Sequence, residues 1–212
     1  TPILTQAREF YNIGRDRLSK GLLDKALEAF LKAEKKNDTD FLTQYVLGHV
    51  YLYGVNEDCN LVDLPKAEKH FRDAARYAKP EVPHLPEAQK YCGEAYFHAS
   101  VACYAQASEK QQTRDTAEAK RLLSEAVTLA KRATEVYPEF SEAFYQYAKT
   151  CAVAGETQAA LQSLEVAVKT DRNYCLKADI DRDFAGIRPN ILQLFKTLCQ
   201  QAEKEAKTAS TE

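Results

Sequence analysis

Asp179, Asp181 and Asp183 alternate in the run Asp179-Ile180-Asp181-Arg182-Asp183, a pattern that could open a calcium-binding loop. Such a loop needs Gly next for its sharp turn and a bidentate Glu at its end. This chain has Phe184 and Asn190 there instead. The carboxylates therefore read as caps on short helical turns, with Phe184 and Ile187 packing onto the preceding helices. The four His, at 49, 70, 84 and 98, and the six Cys, at 59, 92, 103, 151, 175 and 199, could build zinc or nucleophilic chemistry. Cys92 and Cys103 lie six residues before and five after His98, and neither spacing puts a ligand pair on one helical face. A Cys/His nucleophile would also need an orienting third group, and none can be named. No phosphate-cradling glycine loop and no nucleophile elbow is present. The sequence predicts no catalytic residue, no metal site and no cofactor.

Helices must position whatever remains. The 212 residues hold only seven Gly and seven Pro, between stretches rich in Ala, Leu, Glu, Lys and Gln, which are strong helix formers. An all-β fold or an array of βαβ units is excluded on that ground. With 29 Lys and Arg against 31 Asp and Glu, the chain lacks the clustered basic excess of a general nucleic-acid surface. No apolar run is long enough to span a membrane. The Cys contain no C-x-x-C pair, so buried free thiols and a reducing, cytoplasmic setting are expected. There is no Met, even at the first position, and the chain is expected to be part of a larger protein.

The sequence aligns with itself. Phe10, Tyr11, Asn12, Ile13 and Gly14, then Gly21, Ala26, Phe30 and Ala33, match Phe144, Tyr145, Gln146, Tyr147 and Ala148, then Gly155, Ala160, Leu164 and Ala167. Each block reads as an antiparallel helix pair. Phe10, Ile13, Gly14 and Arg17 form one face of the first helix, with Arg17 an odd member of an apolar stripe. Gly21 ends that helix, and small residues at Gly14, Ala26 and Ala33 allow close approach while the rings fill the remaining space. Thr1-Pro2, Asp63 with Pro65, Asp115 with Glu118, and Ser141 supply helix starts.

This pattern resembles the tetratricopeptide (TPR) repeat, with units at about 7–40, 41–80, 86–138 and 141–174. In the second, Leu47, Gly48, Tyr51 and Gly54 precede Ala67, Phe71, Ala74 and Ala75 across a long connector from Val55 to Asp63, a spacing similar to the Sel1-like variant. In the third, Phe97, Ser100, Val101 and Tyr104 face Ala126, Ala130 and Ala133 across lengthened helices. The resemblance implies an all-α, right-handed TPR/Sel1-like α-solenoid of about four helix pairs. A segment at 175–202, with Ile191, Leu194, Phe195 and Leu198, would cap it. The domain is expected to run over 1–202, with 203–212 frayed.

The resemblance also implies that first helices line a concave groove. The residues pointing into it would be Arg8, Tyr11, Arg15 and Leu18, then Leu42, Tyr45, His49, Leu52 and Tyr53, then His98, Ala102 and Gln106, then Glu142, Tyr145, Lys149 and Val153. Tyr offers large contact area with few rotors to freeze, which suits docking of another chain. The alternative is that these rings fill space between repeats. The Lys and Asn pair with which some TPR domains grip a terminal carboxylate is replaced by Tyr11 and Arg15. Arg8 and Arg15 could still hold an acidic segment. The expected function is a non-catalytic scaffold or adaptor binding a protein or peptide. The alternative is a regulatory or sensor domain within a multidomain protein.

Overall fold

A computed structural model describes residues 1–210. Its contacts gather into two compact units, Thr1–Ala143 and the chain from Phe144 onward.

The first unit is three antiparallel helix pairs: α1 (Pro2–Ser19) with α2 (Leu23–Lys36), α3 (Phe41–Tyr53) with α4 (Leu64–Ala78), and α5 (Pro86–Gln112) with α6 (Thr116–Val136). Helix α1 starts at Pro2, five residues before the first repeat unit expected from the sequence. Small residues set the spacing inside a pair. A Cβ at Gly14 would lie 2.4 Å from a ring carbon of Phe30, and one at Gly48 would lie 2.8 Å from the ring of Phe71. Each ring therefore occupies the space a missing side chain leaves, and both Phe are fully buried among Ala26, Ala33, Ala67, Ala74 and Ala75. Close packing of this kind leaves no room for an added methyl without displacing a ring.

Helix ends follow from local chemistry. The side chains of Thr1, Asp63 and Asp115 accept from the amides of Leu4, Lys66 and Glu118, satisfying donors that a helix start leaves open. After α1 the amide of Leu22 donates to Arg17 O and that of Gly21 to Leu18 O, with Gly21 at φ 73°. This is a Schellman end, which favours Gly because L side chains resist that backbone region. The α5–α6 turn repeats it, yet its left-handed position is Arg114, at φ 63°. The α3–α4 connector differs: Asn56 Oδ1 accepts from the amides of Asp58 and Cys59, and Asn56 Nδ2 donates to Gly21 O at 2.9 Å. The long connector is thereby tied to the first turn.

Two details depart from the periodicity reading. The buried face of α1 is Ala7, Tyr11 and Gly14, while Ile13 stands 42% exposed. Arg17 belongs in the stripe because its guanidinium donates to Lys25 O across the pair at 3.1 Å. A polar lock also sits inside the core. His70 Nδ1 meets Gln44 Oε1 at 2.6 Å, and Gln44 Nε2 donates to Asp38 O and Glu34 Oε1, joining α2, α3 and α4. Burial lowers the His70 pKa.

The second unit begins within α7 (Ser141–Ala154), at Phe144, and contains α8 (Thr157–Thr170), α9 (Asn173–Ile180), a 3-10 turn at Arg182–Ile187 and α10 (Arg188–Ala209). Gly155, at φ 84°, forms the Schellman link between α7 and α8. Ala160, Leu164, Ala167, Phe184, Ile187 and Ile191 form its core. Helix α10 packs on α8 and continues to Ala209, through most of the stretch expected to fray. Residues 211 and 212 of that stretch lie outside the described residues.

Cys92, Cys103 and Cys151 are buried, Cys59 and Cys175 partly so, and Cys199 is exposed. Burial of all six thiols thus applies to three. Among the described residues no helix is long and apolar enough to cross a membrane.

Candidate partner-binding cleft

Helices α1, α3 and α5, the first members of three successive pairs, wall one cleft of about 360 Å³ in the first unit. Its lining includes Tyr11, Arg15, Leu18, Tyr45, Val46 and His49, together with Lys90, Tyr91 and Glu94. The groove pattern includes Tyr11, Arg15, Leu18, Tyr45 and His49 and lacks Val46 and the three on α5. They were legible in principle, since Glu94 and Tyr91 stand four and seven residues before His98 and share its helical face. The register of the third unit was set on Phe97, and the extra turns that lengthen α5 toward its start were left out.

Tyr11 is buried, 6% exposed, with its ring 6.1 Å from Phe30. It forms the floor of the cleft. Its hydroxyl accepts from Arg15 at 3.2 Å, and the guanidinium carbons of Arg8 and Arg15 lie 5.1 and 6.0 Å from its ring centre. Arg8 thus sits above Tyr11 at the edge.

Tyr45 is held on several sides. Its hydroxyl donates to Glu94 at 2.6 Å, and its ring meets Tyr91 edge-on at 5.0 Å and His49 at 4.6 Å. Burial, then the bond to Glu94, raises its pKa well above the ordinary phenol range. His49 and His98 stand 4.4 Å apart, and both contact Phe71, His98 by stacking and His49 by its edge. Burial pushes the His49 pKa down to about 4. It pushes His98 to about 3, with the charge of His49 adding to the effect. At neutral pH both rings are uncharged packing groups. Tyr53 shares a 2.9 Å hydrogen bond with His98 Nδ1 and keeps 51% of its surface open. Burial, then Glu142, raises its pKa to about 12. Two further positions selected by the groove pattern, Leu52 and Ala102, are buried in the core, because helix packing claims them first.

The second unit has its own cleft, of about 580 Å³, lined by Tyr145, Lys149, Lys177, Ile180, Asp181 and Arg182. The Tyr145 hydroxyl donates to Asp181 at 2.9 Å, and Lys149 pairs with Asp181 and Asp183 at 3.6 and 3.5 Å. Burial, then the contact with Asp181, raises the Tyr145 pKa. Asp181 also caps the 3-10 turn by accepting from the Asp183 amide at 3.0 Å, and Phe184 packs against the Tyr145 ring at 5.6 Å. Of the alternating carboxylates, Asp181 serves as a cap and Asp181 and Asp183 as ion-pair partners to Lys149. Among the described residues no group of three or more His, Cys, Asp or Glu is placed to hold a metal ion.

No protein-family model and no curated protein matches the sequence. Solved structures do. A crystal structure of MamA aligns at a TM-score of 0.62 and 18% identity, covering 95% of this chain and 94% of that one. A second MamA structure aligns at 0.59 and 18% identity, covering 92% and 97%. TTC0263, a thermophilic TPR protein in Thermus thermophilus, aligns at 0.45 with 21% identity over 97% and 96%, too loosely to add weight. At these identities the likeness concerns the fold, which is all-α and TPR-like.

Proposed function

We propose that this chain is a non-catalytic protein-interaction module that docks a segment of another polypeptide along its first helices. The carrying observation is the cleft walled by α1, α3 and α5, with an aromatic floor and cationic edge. A cleft with apolar walls and a few convergent polar groups is where a ligand is recognised. The imidazoles beside it are neutral and packed, so that face supports contact better than proton transfer. The free thiols accord with a cytoplasmic setting.

A photo-cross-linking amino acid at Tyr53, on the groove side, compared with one at Lys32, on the outer face of α2, tests this in host extract. Adducts to a defined protein segment are expected from position 53 and not from 32. Adducts from position 32 alone would place binding on the outer face and overturn the reading.

A further inference from the structure

The cleft of the first unit has an uneven charge distribution. Its lining carboxylate, Glu94, is already engaged: it accepts from the Tyr45 hydroxyl at 2.6 Å and has Lys90 Nζ at 3.9 Å. The arginines are not matched in this way. Arg15 donates to the neutral hydroxyl of Tyr11, and Arg8 lies over the same ring. Among the described residues neither guanidinium pairs with a carboxylate. Arg8 also lines a neighbouring hollow with Glu9 and Asp40, and Asp40 accepts from the Thr43 hydroxyl at 2.7 Å. A guanidinium lying on a ring face keeps its in-plane N–H edge available, and that edge matches a carboxylate through two parallel hydrogen bonds. Beneath the cations, Tyr11, Leu18, Tyr45, Val46 and Tyr91 form an apolar floor. The ligand chemistry that complements both features is an apolar side chain flanked by negative charge. A basic segment would meet Arg15 and Lys90 in the cleft and Arg8 over the Tyr11 ring at its edge, with no unengaged acid in the cleft lining to receive it.

We propose that this cleft binds an acidic segment of a partner protein, with an aliphatic side chain seated against Tyr11, Tyr45 and Tyr91 and flanking carboxylates held by Arg15 and Arg8. The proposal rests on the interaction reading above and names the partner's chemistry. Arg8 and Arg15 are two helical turns apart on α1, about 10 Å along its axis. A segment in the left-handed polyproline conformation rises about 9 Å in one turn of three residues and brings i and i+3 to the same face, so acids at those positions around an aliphatic residue reach both.

The test uses the full chain and fluorescein-labelled Gly-Ser-Glu-Leu-Ala-Glu-Ser-Gly, followed by anisotropy. Binding is expected to weaken as salt rises. The Gln-Leu-Ala-Gln counterpart and the Glu-Ser-Ala-Glu counterpart should each bind about tenfold less tightly, or worse. Arg15→Gln and Arg8→Gln should each weaken the acidic peptide several-fold with an unchanged circular dichroism spectrum, while Lys32→Gln changes nothing. Arg8→Glu combined with Arg15→Glu should prefer Lys-Leu-Ala-Lys over Glu-Leu-Ala-Glu, a reversal that a merely destabilised protein would not show. Equal binding of the acidic and Gln peptides overturns the proposal, as does binding indifferent to both arginines. Arginine-dependent binding of oligouridylate in place of the peptide overturns it in favour of nucleic acid. If position 53 yields protein adducts while the acidic peptide fails, the interaction reading stands and the acidic partner falls; failure of both removes both.

Discussion

Tyr45 in the first unit and Tyr145 in the second occupy the same place in the repeat, and each donates its hydroxyl to a carboxylate, Glu94 at 2.6 Å and Asp181 at 2.9 Å. Their surroundings diverge. One turn on from Tyr45 stands His49, a neutral ring packed against Phe71 and His98. One turn on from Tyr145 stands Lys149, a cation paired with Asp181 and Asp183. The acid comes from a long helix, α5, in the first case and from the cap of a short 3-10 turn in the second. One repeat position is thus fixed by aromatic packing in one unit and by ion pairing in the other. Burial decides which, since a ring can be desolvated where an unpaired ammonium cannot.

The contrast can be broken most severely through Phe71, which supports both imidazoles. Phe71→Ala should cost about 3–5 kcal/mol, the range for removing a buried ring. Chemical denaturation measures it, and a loss under 1 kcal/mol would mean that the ring is not the keystone of the aromatic cluster.

Acid should act on the first unit through the same rings. A His whose pKa falls from 6.5 to about 4, or about 3, on folding binds fewer protons in the native chain than in the unfolded one across that interval. Their contribution is therefore complete above pH 6.5 and is lost as pH falls toward 4. After allowance for solvent screening the loss is on the order of 1–2 kcal/mol per ring. Melting of the wild type and of His49→Gln with His98→Gln between pH 7 and 4.5 should show a flatter dependence in the variant.

A smaller separation is expected from the hydroxyls. Tyr45→Phe should cost about 1 kcal/mol with little dependence on ionic strength, because Glu94 loses its close donor and keeps only the exposed Lys90 at 3.9 Å. Tyr145→Phe should cost less at low salt, because Lys149 still serves Asp181, and added salt should widen its effect. Urea titrations at two salt concentrations would show whether the two Tyr respond differently.

The smallest effect concerns the turns. Gly21 and Gly155 hold the left-handed position that Arg114 holds between α5 and α6. Arg114→Gly should raise stability by about 0.5 kcal/mol, as relief of backbone strain slightly exceeds the added freedom of the unfolded chain. Gly155→Arg should lower it by a similar amount, and paired thermal melts would detect both shifts.

The sequence was most legible where a residue acts on near neighbours. Thr1, Asp63 and Asp115 cap helices, Gly21 ends one, and Gly14 and Gly48 admit a ring from the facing helix, since each effect spans one turn or one helix pair. The cleft was half legible. Tyr11, Arg15, Tyr45 and His49 followed from repeat position, but Lys90, Tyr91 and Glu94 lie on turns that the repeat pattern does not contain. Arg17 looked anomalous because its partner is a backbone carbonyl on α2, and a carbonyl leaves no mark in the residue pattern.

The amino-acid order alone determined the helices, their pairing and the repeat, because helix periodicity, caps and small-for-large complementarity are properties of short stretches. Tertiary structure decided which side chains became surface and which became filling. Tyr11 became a buried floor, Leu52 and Ala102 joined the core, Tyr53 kept half its surface, and two histidines became neutral packing rings. Those outcomes depend on how α3 and α5 converge on Phe71 and how α5 faces α1 across the cleft. Burial and electrostatic partners are set by distances between elements far apart in the chain, which no local spacing encodes.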